Sequence, residues 1–282
     1  MMNFLLKSKN YDNKFLAIFC IVVFISICIM SVIVPEVSEI EYDAISMPDR
    51  NMVPSINHLF GTDSLGRDLW TRIWYGTRIT IFIAVFGAII PQLMGCIIGS
   101  IAGYFGGLID SILMSVVDIC TSIPSLIYIT LLYLILGPGI HSMIIAISIS
   151  SWMETARLVR SRIMQYKNSD FVINAKLQGA TSLYIIFIHI FPNIIGQIII
   201  KIFLAIPSAI FIEAYLSFIG MGVASPSVSL GLLCKVGVST YRMYPYQLFF
   251  PAIILSLIVL SFYILGNIIR NNFDFQMANR KD

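Results

Sequence analysis

Three carboxylates interrupt stretches that are otherwise apolar: Asp118, Glu154 and Glu213. A charge inside a bilayer is costly, so such residues pair with one another, line water-filled cavities or relay protons. Asp118 and Glu213 are the residue types of a two-carboxylate hydrolase. Their expected depths differ, with Asp118 about two turns from the inner end of its stretch and Glu213 in the outer half of another. A catalytic dyad is therefore not expected, and all three acids read as interhelix hydrogen-bonding groups or cavity-lining groups. His58, His141 and His189 are far apart in the chain, and no HExxH or CxxC pattern supports a metal or redox site. Cys20, Cys28, Cys96 and Cys120 sit in apolar runs and read as small apolar side chains, whereas Cys234 falls in a polar connection. There is no GxxxxGK[ST] phosphate loop, so this chain is expected to bind no nucleotide or other cofactor, and any ATP would sit on another chain.

Two connections carry patterned polar residues. The first runs from Pro35 to about Arg78, with Glu36, Glu39, Glu41 and Asp43 at its start and His58-Leu-Phe-Gly-Thr-Asp-Ser-Leu-Gly-Arg-Asp68 further on. Gly61 and Gly66 suit tight turns, Asp63 and Asp68 can cap short helices, and Arg67 can pair with either acid. The second runs from about Arg157 to Pro192. There Ser169 and Asp170 form a helix start, with Ser169 as the cap, Phe171 to Gln178 contains no breaker, and Gly179 is a helix stop. This predicts a helix of about nine residues, ~14 Å long. Phe171, Val172 and Ala175 share one face. So short a helix is marginal alone and needs a surface, either its own spans or a soluble partner.

The elements that would hold these residues are set by composition. Of 282 residues, 58% are apolar and 12% charged, about half the charged share of a soluble domain. The net charge of +3 is too weak to indicate nucleic-acid binding. The fold class is thus an all-α integral membrane protein in a lipid bilayer. Six spans are expected: Phe15 to Val34, Ile79 to Gly103, Ser111 to Leu136, Ile140 to Ala156, Ile194 to about Phe218, and Leu248 to Ile269. The 182–191 stretch is read as a separate interfacial helix, split from the fifth span at Pro192-Asn193, and Lys201 is expected to snorkel to the interface. Basic residues set the orientation. With the amino terminus inside, Lys7, Lys9, Lys14, Arg157, Arg160, Arg162, Lys167, Lys176, Lys201, Arg270, Arg280 and Lys281 are inside, and Arg50, Arg67, Arg72, Arg78, Lys235 and Arg242 outside, twelve against six. Both termini are expected in the cytoplasm. The organisation is then an amino-terminal span with an external segment (1–75), a five-helix core with an inner loop at 157–192 (76–270), and a cytoplasmic tail (271–282).

Ile173-Asn174-Ala175, Gly179 and Ile190-Phe-Pro192-Asn193 together resemble the EAA loop of ABC importer permeases, with Ile173 in place of that loop's Glu and Asn174 in place of its first Ala. The remaining chain resembles one branch, the C-type subunit of oligopeptide, dipeptide and nickel permeases. His58–Asp68 is similar to its "HPLGTDxLGRD" segment, Tyr104-Phe-Gly-Gly-Leu-Ile-Asp110 to its following turn, Asp118 with Ile123-Pro-Ser125 to its "D…xPxL" pattern, and Glu213-Ala-Tyr-Leu-Ser-Phe-Ile-Gly-Met-Gly222 to "ExxLSFLGLG". The family's "GDGLRDALDPR" ending is replaced by Gly266-Asn-Ile-Ile-Arg270 and Asp274-Phe275, which leaves the tail's role open. The resemblance implies a type I importer fold in the cytoplasmic membrane. It implies assembly with a homologous B-type permease, two ABC ATPase subunits and an extracytoplasmic substrate-binding protein. The substrate would be an oligopeptide, a dipeptide or nickel. Asp170, Phe171, Ile173, Ala175, Gly179 and Pro192 would couple to the ATPase. Gly61, Asp63, Gly66, Arg67 and Asp68 would face the binding protein or close over the pathway, and Asp118, Glu154 and Glu213 are possible pathway groups. Secondary transport, the rival reading, would show inverted repeats, and no second copy of the 156–193 pattern is present.

Overall fold

The computed structural model describes the backbone of residues 2–278 and the side chains of residues 15–271. The side chains of Lys7, Lys9, Lys14 and the tail, and all of Arg280 and Lys281, therefore lie outside what is described. The chain is helical throughout: α1 (Met2–Val37), a short 3-10 turn (Met47–Asp49), α2 (Leu69–Phe105), α3 (Gly107–Ser122), α4 (Ser125–Leu136), α5 (Ile140–Tyr166), α6 (Asp170–Leu177), α7 (Ser182–Tyr184), a π-helical stretch (Ile185–Ile190), α8 (Phe191–Phe218), α9 (Leu230–Thr240) and α10 (Tyr246–Ala278).

Among the described residues, four helices are long and apolar enough to cross a membrane: Phe15–Val37, Leu69–Phe105, Ser182–Phe218 and Tyr246–Asn271. A fifth crossing follows if α3 and α4 count as one span. Four or five of the six expected spans are thus found by this measure, and the count of six is not confirmed, for two reasons. The expected straight span from Ser111 to Leu136 is bent by 90° between α3 and α4. Ile123, held before Pro124, is extended (φ −94°, ψ 130°) and cannot continue the helix. α5, in turn, is long enough to cross but too polar to count as apolar, because it carries Ser148, Ser150, Ser151 and Glu154.

Pro192 does not split the fifth span. α7, the π-helical stretch and α8 run on as one helix of 37 residues. The amide of Phe191 donates to the Ile186 carbonyl, five residues back. This widened turn accommodates the proline ring, which would otherwise press on a carbonyl four residues earlier.

α2 and α5 pack so closely that glycine is required between them. A Cβ on Gly95 would lie 2.6 Å from the Trp152 carbonyl oxygen, one on Gly103 2.7 Å from that of Arg160, and one on Gly99 would overlap that of Ala156. Every fourth residue of α2 therefore meets every fourth residue of α5, the small-residue packing that dispersion forces favour in lipid. One apolar core, including Ile73, Ile83, Ile147, Ile210 and Ile258, joins α2, α5, α8 and α10. A second, including Ile163, Val172, Ile185 and Ile190, ties α6 to α5 and the π-helical stretch.

Candidate functional sites on the outer segment, the cavity wall and the inner helix

The segment before α2, expected to be the outer one, is cross-linked by its own polar groups. Asp63 accepts from the amides of Leu65 (2.8 Å) and Arg67 (3.0 Å), and its other oxygen accepts from Arg67 Nε (2.8 Å). Arg72 Nε lies 3.7 Å from that oxygen. Asp68 caps α2 by accepting from the Thr71 amide (2.9 Å) and hydroxyl (3.0 Å), and it also meets His58 Nδ1 at 3.0 Å. Each acid is 3% exposed. The expectation that Asp63 caps a short helix is corrected, since it organises a turn and an ion pair instead. Asp68 caps a helix of 37 residues rather than a short one. These acids are used internally and present no charge outward. Arg67 does pair with Asp63, at 2.7 Å. Gly61 (φ +75°) and Gly66 (φ +73°) take the left-handed conformation of tight turns. A Cβ on Gly61 would lie 2.5 Å from the Met52 carbonyl oxygen, and one on Gly66 would overlap that of Ser46. Nearby, Tyr42 stacks on Tyr75 with ring centroids 3.7 Å apart, and burial, then its contact with Tyr75, pushes the Tyr42 hydroxyl up to about 12.

The three intervening carboxylates have three different settings, which the sequence could not separate. Asp118 on α3 pairs with Arg157 on α5 at 2.6 Å and is well exposed. Glu213 is fully buried on α8. It accepts from the hydroxyls of Ser217 (2.8 Å) and Thr80 (3.4 Å), and Thr80 in turn accepts from the Leu230 amide at 3.0 Å. Glu213 thereby pins α2, α8 and the start of α9 together. Glu154 on α5 binds Lys201 Nζ on α8 at 2.8 Å. Lys201, which could snorkel, is held in this pair. Of the three acids, Glu154 lines an open cavity of about 440 Å³, together with Gln92, Ser150, Ser151, Thr155, Lys201 and Ser208. Thr155 hydrogen-bonds Gln92 behind this wall. Gln92, Thr155 and the serines were not singled out from sequence, and Lys201 was read only for its depth in the membrane. The signal that could have found them is the run of polar residues on one face of α5, at 150, 151 and 154. Among the described residues, no group of three or more His, Cys, Asp or Glu side chains gathers as a metal would require.

The inner helix α6 spans Asp170–Leu177. Ser169 stands at its cap position, but its hydroxyl donates to the Tyr166 carbonyl (2.6 Å) instead of capping the helix. The stop is at Gly179, with φ +81°. The Gly179 amide donates to Lys176 O and the Ala180 amide to Ala175 O, both at 3.0 Å, the paired bonds of a Schellman ending. Among the described residues, nothing lies within 4 Å of a Cβ placed on Gly179. Val172 and Ala175 are buried against the protein's own inner core, whereas Phe171, Ile173 and Leu177 are exposed. The shared face expected for Phe171, Val172 and Ala175 is therefore divided: two residues hold the helix down, and Phe171 sits at its edge, 6.3 Å from the Tyr166 ring. Asp170 is exposed at the amino end, and Pro192 lies in the long helix below.

Comparison with known proteins agrees with this geometry. The profile described as "Binding-protein-dependent transport system inner membrane component" matches residues 95–279. The chain is 38% identical to the oligopeptide transport system permease protein OppC of Bacillus subtilis (strain 168), over 93% of this chain and 86% of that protein. It is 38% identical to the dipeptide transport system permease protein DppC of the same organism, over 87% and 77%, and 34% identical to OppC of Escherichia coli (strain K12), over 94% and 89%. Among solved structures, it is similar in fold to the inward-facing MetNI methionine ABC transporter, with a TM-score of 0.56 at 18% identity, over 71% of this chain and 95% of that one.

Proposed function

Because the chain belongs to the binding-protein-dependent transport system inner membrane component family, as a permease subunit and not an enzyme, we propose that it carries oligopeptides or dipeptides inward across the cytoplasmic membrane. The observation that carries this reading is identity of 34–38% to peptide permeases along nearly the whole chain. The polar cavity wall of α5 and α8 supports it, since a hydrated peptide needs hydrogen-bonding groups along its path.

In this reading α5 makes the sixth crossing, shielded from lipid by α2 on one side and by the cavity and a homologous permease on the other. Both termini are then cytoplasmic. The exposed side of α6, with Asp170, Phe171, Ile173 and Leu177, docks in a cleft of an ABC ATPase subunit. Val172 and Ala175 fasten that helix to the transmembrane core. Closure of the ATPase pair on ATP moves α6 as a rigid body and switches the pathway between two states. The outer segment meets the substrate-binding protein. Its exposed Ile45, Met47, Val53 and Ile56 supply an apolar surface for that contact, while Gly61, Asp63, Gly66, Arg67 and Asp68 hold the surface in shape.

The test is uptake of labelled trialanine by vesicles holding the assembled complex and its binding protein. ATP-dependent accumulation is expected. Accumulation of nickel without peptide would overturn the substrate class.

A further inference from the structure

Glu154 and Lys201 form an ion pair on the wall of the open cavity. A structural brace in a membrane protein is buried and multiply bonded, as Glu213 and Asp63 are. Here the Glu154 side chain is 78% exposed and that of Lys201 32%, and a single 2.8 Å hydrogen bond joins them. Exposed pairs add little stability, so bracing does not account for a charge on each of α5 and α8 at the cavity wall. Both groups retain capacity, because a carboxylate has two acceptor oxygens and an ammonium three donors. Both face the cavity, among the hydroxyls of Ser150, Ser151 and Ser208.

A wall with one anion beside one cation is complementary to a solute carrying both charges. An unblocked peptide is such a solute. Its amino end can replace Lys201 on Glu154 while its carboxylate takes Lys201, so no charge is stranded at any stage. The charged ends of a dipeptide lie roughly two residues apart, ~7 Å at most, and the flexible stem of Lys201 can swing to open that gap. A bare divalent cation is served differently, since Glu154 attracts it and the adjacent ammonium repels it. We propose that Glu154 and Lys201 form an exchange site for the charged ends of zwitterionic peptides on the translocation pathway. This rests on the peptide-importer reading and deepens it.

The test uses the assembled complex without its binding protein and a tripeptide carrying benzoylphenylalanine, either with free ends or with both ends blocked by acetyl and amide groups. Photolabelling of this chain is the readout. The free peptide is expected to label the wild type, and labelling is expected to fall about tenfold in Glu154→Gln and in Lys201→Met, the scale of one charge-assisted hydrogen bond lost. The blocked peptide should label all three proteins equally and weakly. Equal labelling by free and blocked peptides, or wild-type labelling in both variants, would overturn the proposal. Retention of the ATPase subunits by each variant, and by the pair-restoring Glu154→Lys/Lys201→Glu protein, separates site loss from misfolding. If wild-type complex imports no peptide in vesicles, the substrate reading fails. If it imports peptide while the variants import and label normally, only the exchange site fails.

Discussion

The outer segment and the inner helix α6 both depend on left-handed glycines, yet they use them in opposite ways. At Gly61 and Gly66 the conformation and the space both exclude a side chain, because neighbouring carbonyl oxygens fill the position of a Cβ. At Gly179 the space is open and only the conformation matters. The outer segment also buries Asp63 against Arg67 and Asp68 against His58, whereas α6 leaves Phe171, Ile173 and Leu177 uncovered. The turn from Gly61 to Asp68 is thus closed on itself, although Ile45, Met47, Val53 and Ile56 beside it stay exposed. α6 is fixed on one side, by Val172 and Ala175, and exposed on the other.

Substitutions can break this contrast, and the largest effect is expected at Gly66. Gly66→Ala combines left-handed strain of about 1–2 kcal/mol with overlap on a backbone carbonyl that a flexible side chain cannot relieve. Little monodisperse protein should survive size-exclusion chromatography. A well-folded Gly66→Ala protein would show that the outer segment is loose rather than locked.

Next in size is Asp63→Ala. Removing one partner of a buried pair strands the others, at a cost of about 3 kcal/mol or more. A clear fall in melting temperature is expected, and an unchanged one would mean the Arg67 and Arg72 contacts are not formed in the membrane.

Gly179→Val should be milder, about 1 kcal/mol from backbone strain alone. The protein should insert and fold, but ATPase subunits should co-purify poorly or hydrolysis should no longer drive uptake. Phe171→Asp sharpens the comparison further. It should shift stability by only ~0.5 kcal/mol, as at most surface positions, while uncoupling the ATPase by placing a charge in an apolar contact. If Gly179→Val and Phe171→Asp both keep wild-type coupling, α6 serves only its own core.

The smallest structural perturbation tests which side α6 is on. A cysteine at exposed Asn168, in a background without native cysteines, should resist an impermeant thiol reagent in intact cells and react in inverted vesicles. Labelling of intact cells would reverse the topology.

Particular residues mark how far sequence carried. Gly179 was legible as a stop because left-handed helix endings have a strong residue preference, and the Schellman bonds at Ala180 follow from it. Ser169 was less so, since a serine hydroxyl can turn either to the helix ahead or to the carbonyl behind, here Tyr166. Pro124 and Pro192 carried the same local signal, yet the first breaks a span by 90° and the second is absorbed by a π-helical stretch. Proline removes a donor, and whether the neighbouring turns widen or open depends on what packs against them. The Gly95, Gly99 and Gly103 ladder was not singled out from sequence, since a small-residue spacing does not say which helix it meets.

By itself the sequence determined the helical membrane class, the family signature loops and the acid that each apolar run carries, because these follow from composition, local backbone preference and residue order. Only the tertiary structure decided that Asp118 faces Arg157, that Glu213 is walled in by hydroxyls, and that Glu154 meets Lys201 on an open cavity. A charged group's role is set by the group that faces it, and those partners lie 39, 4 to 133 and 47 residues away along the chain.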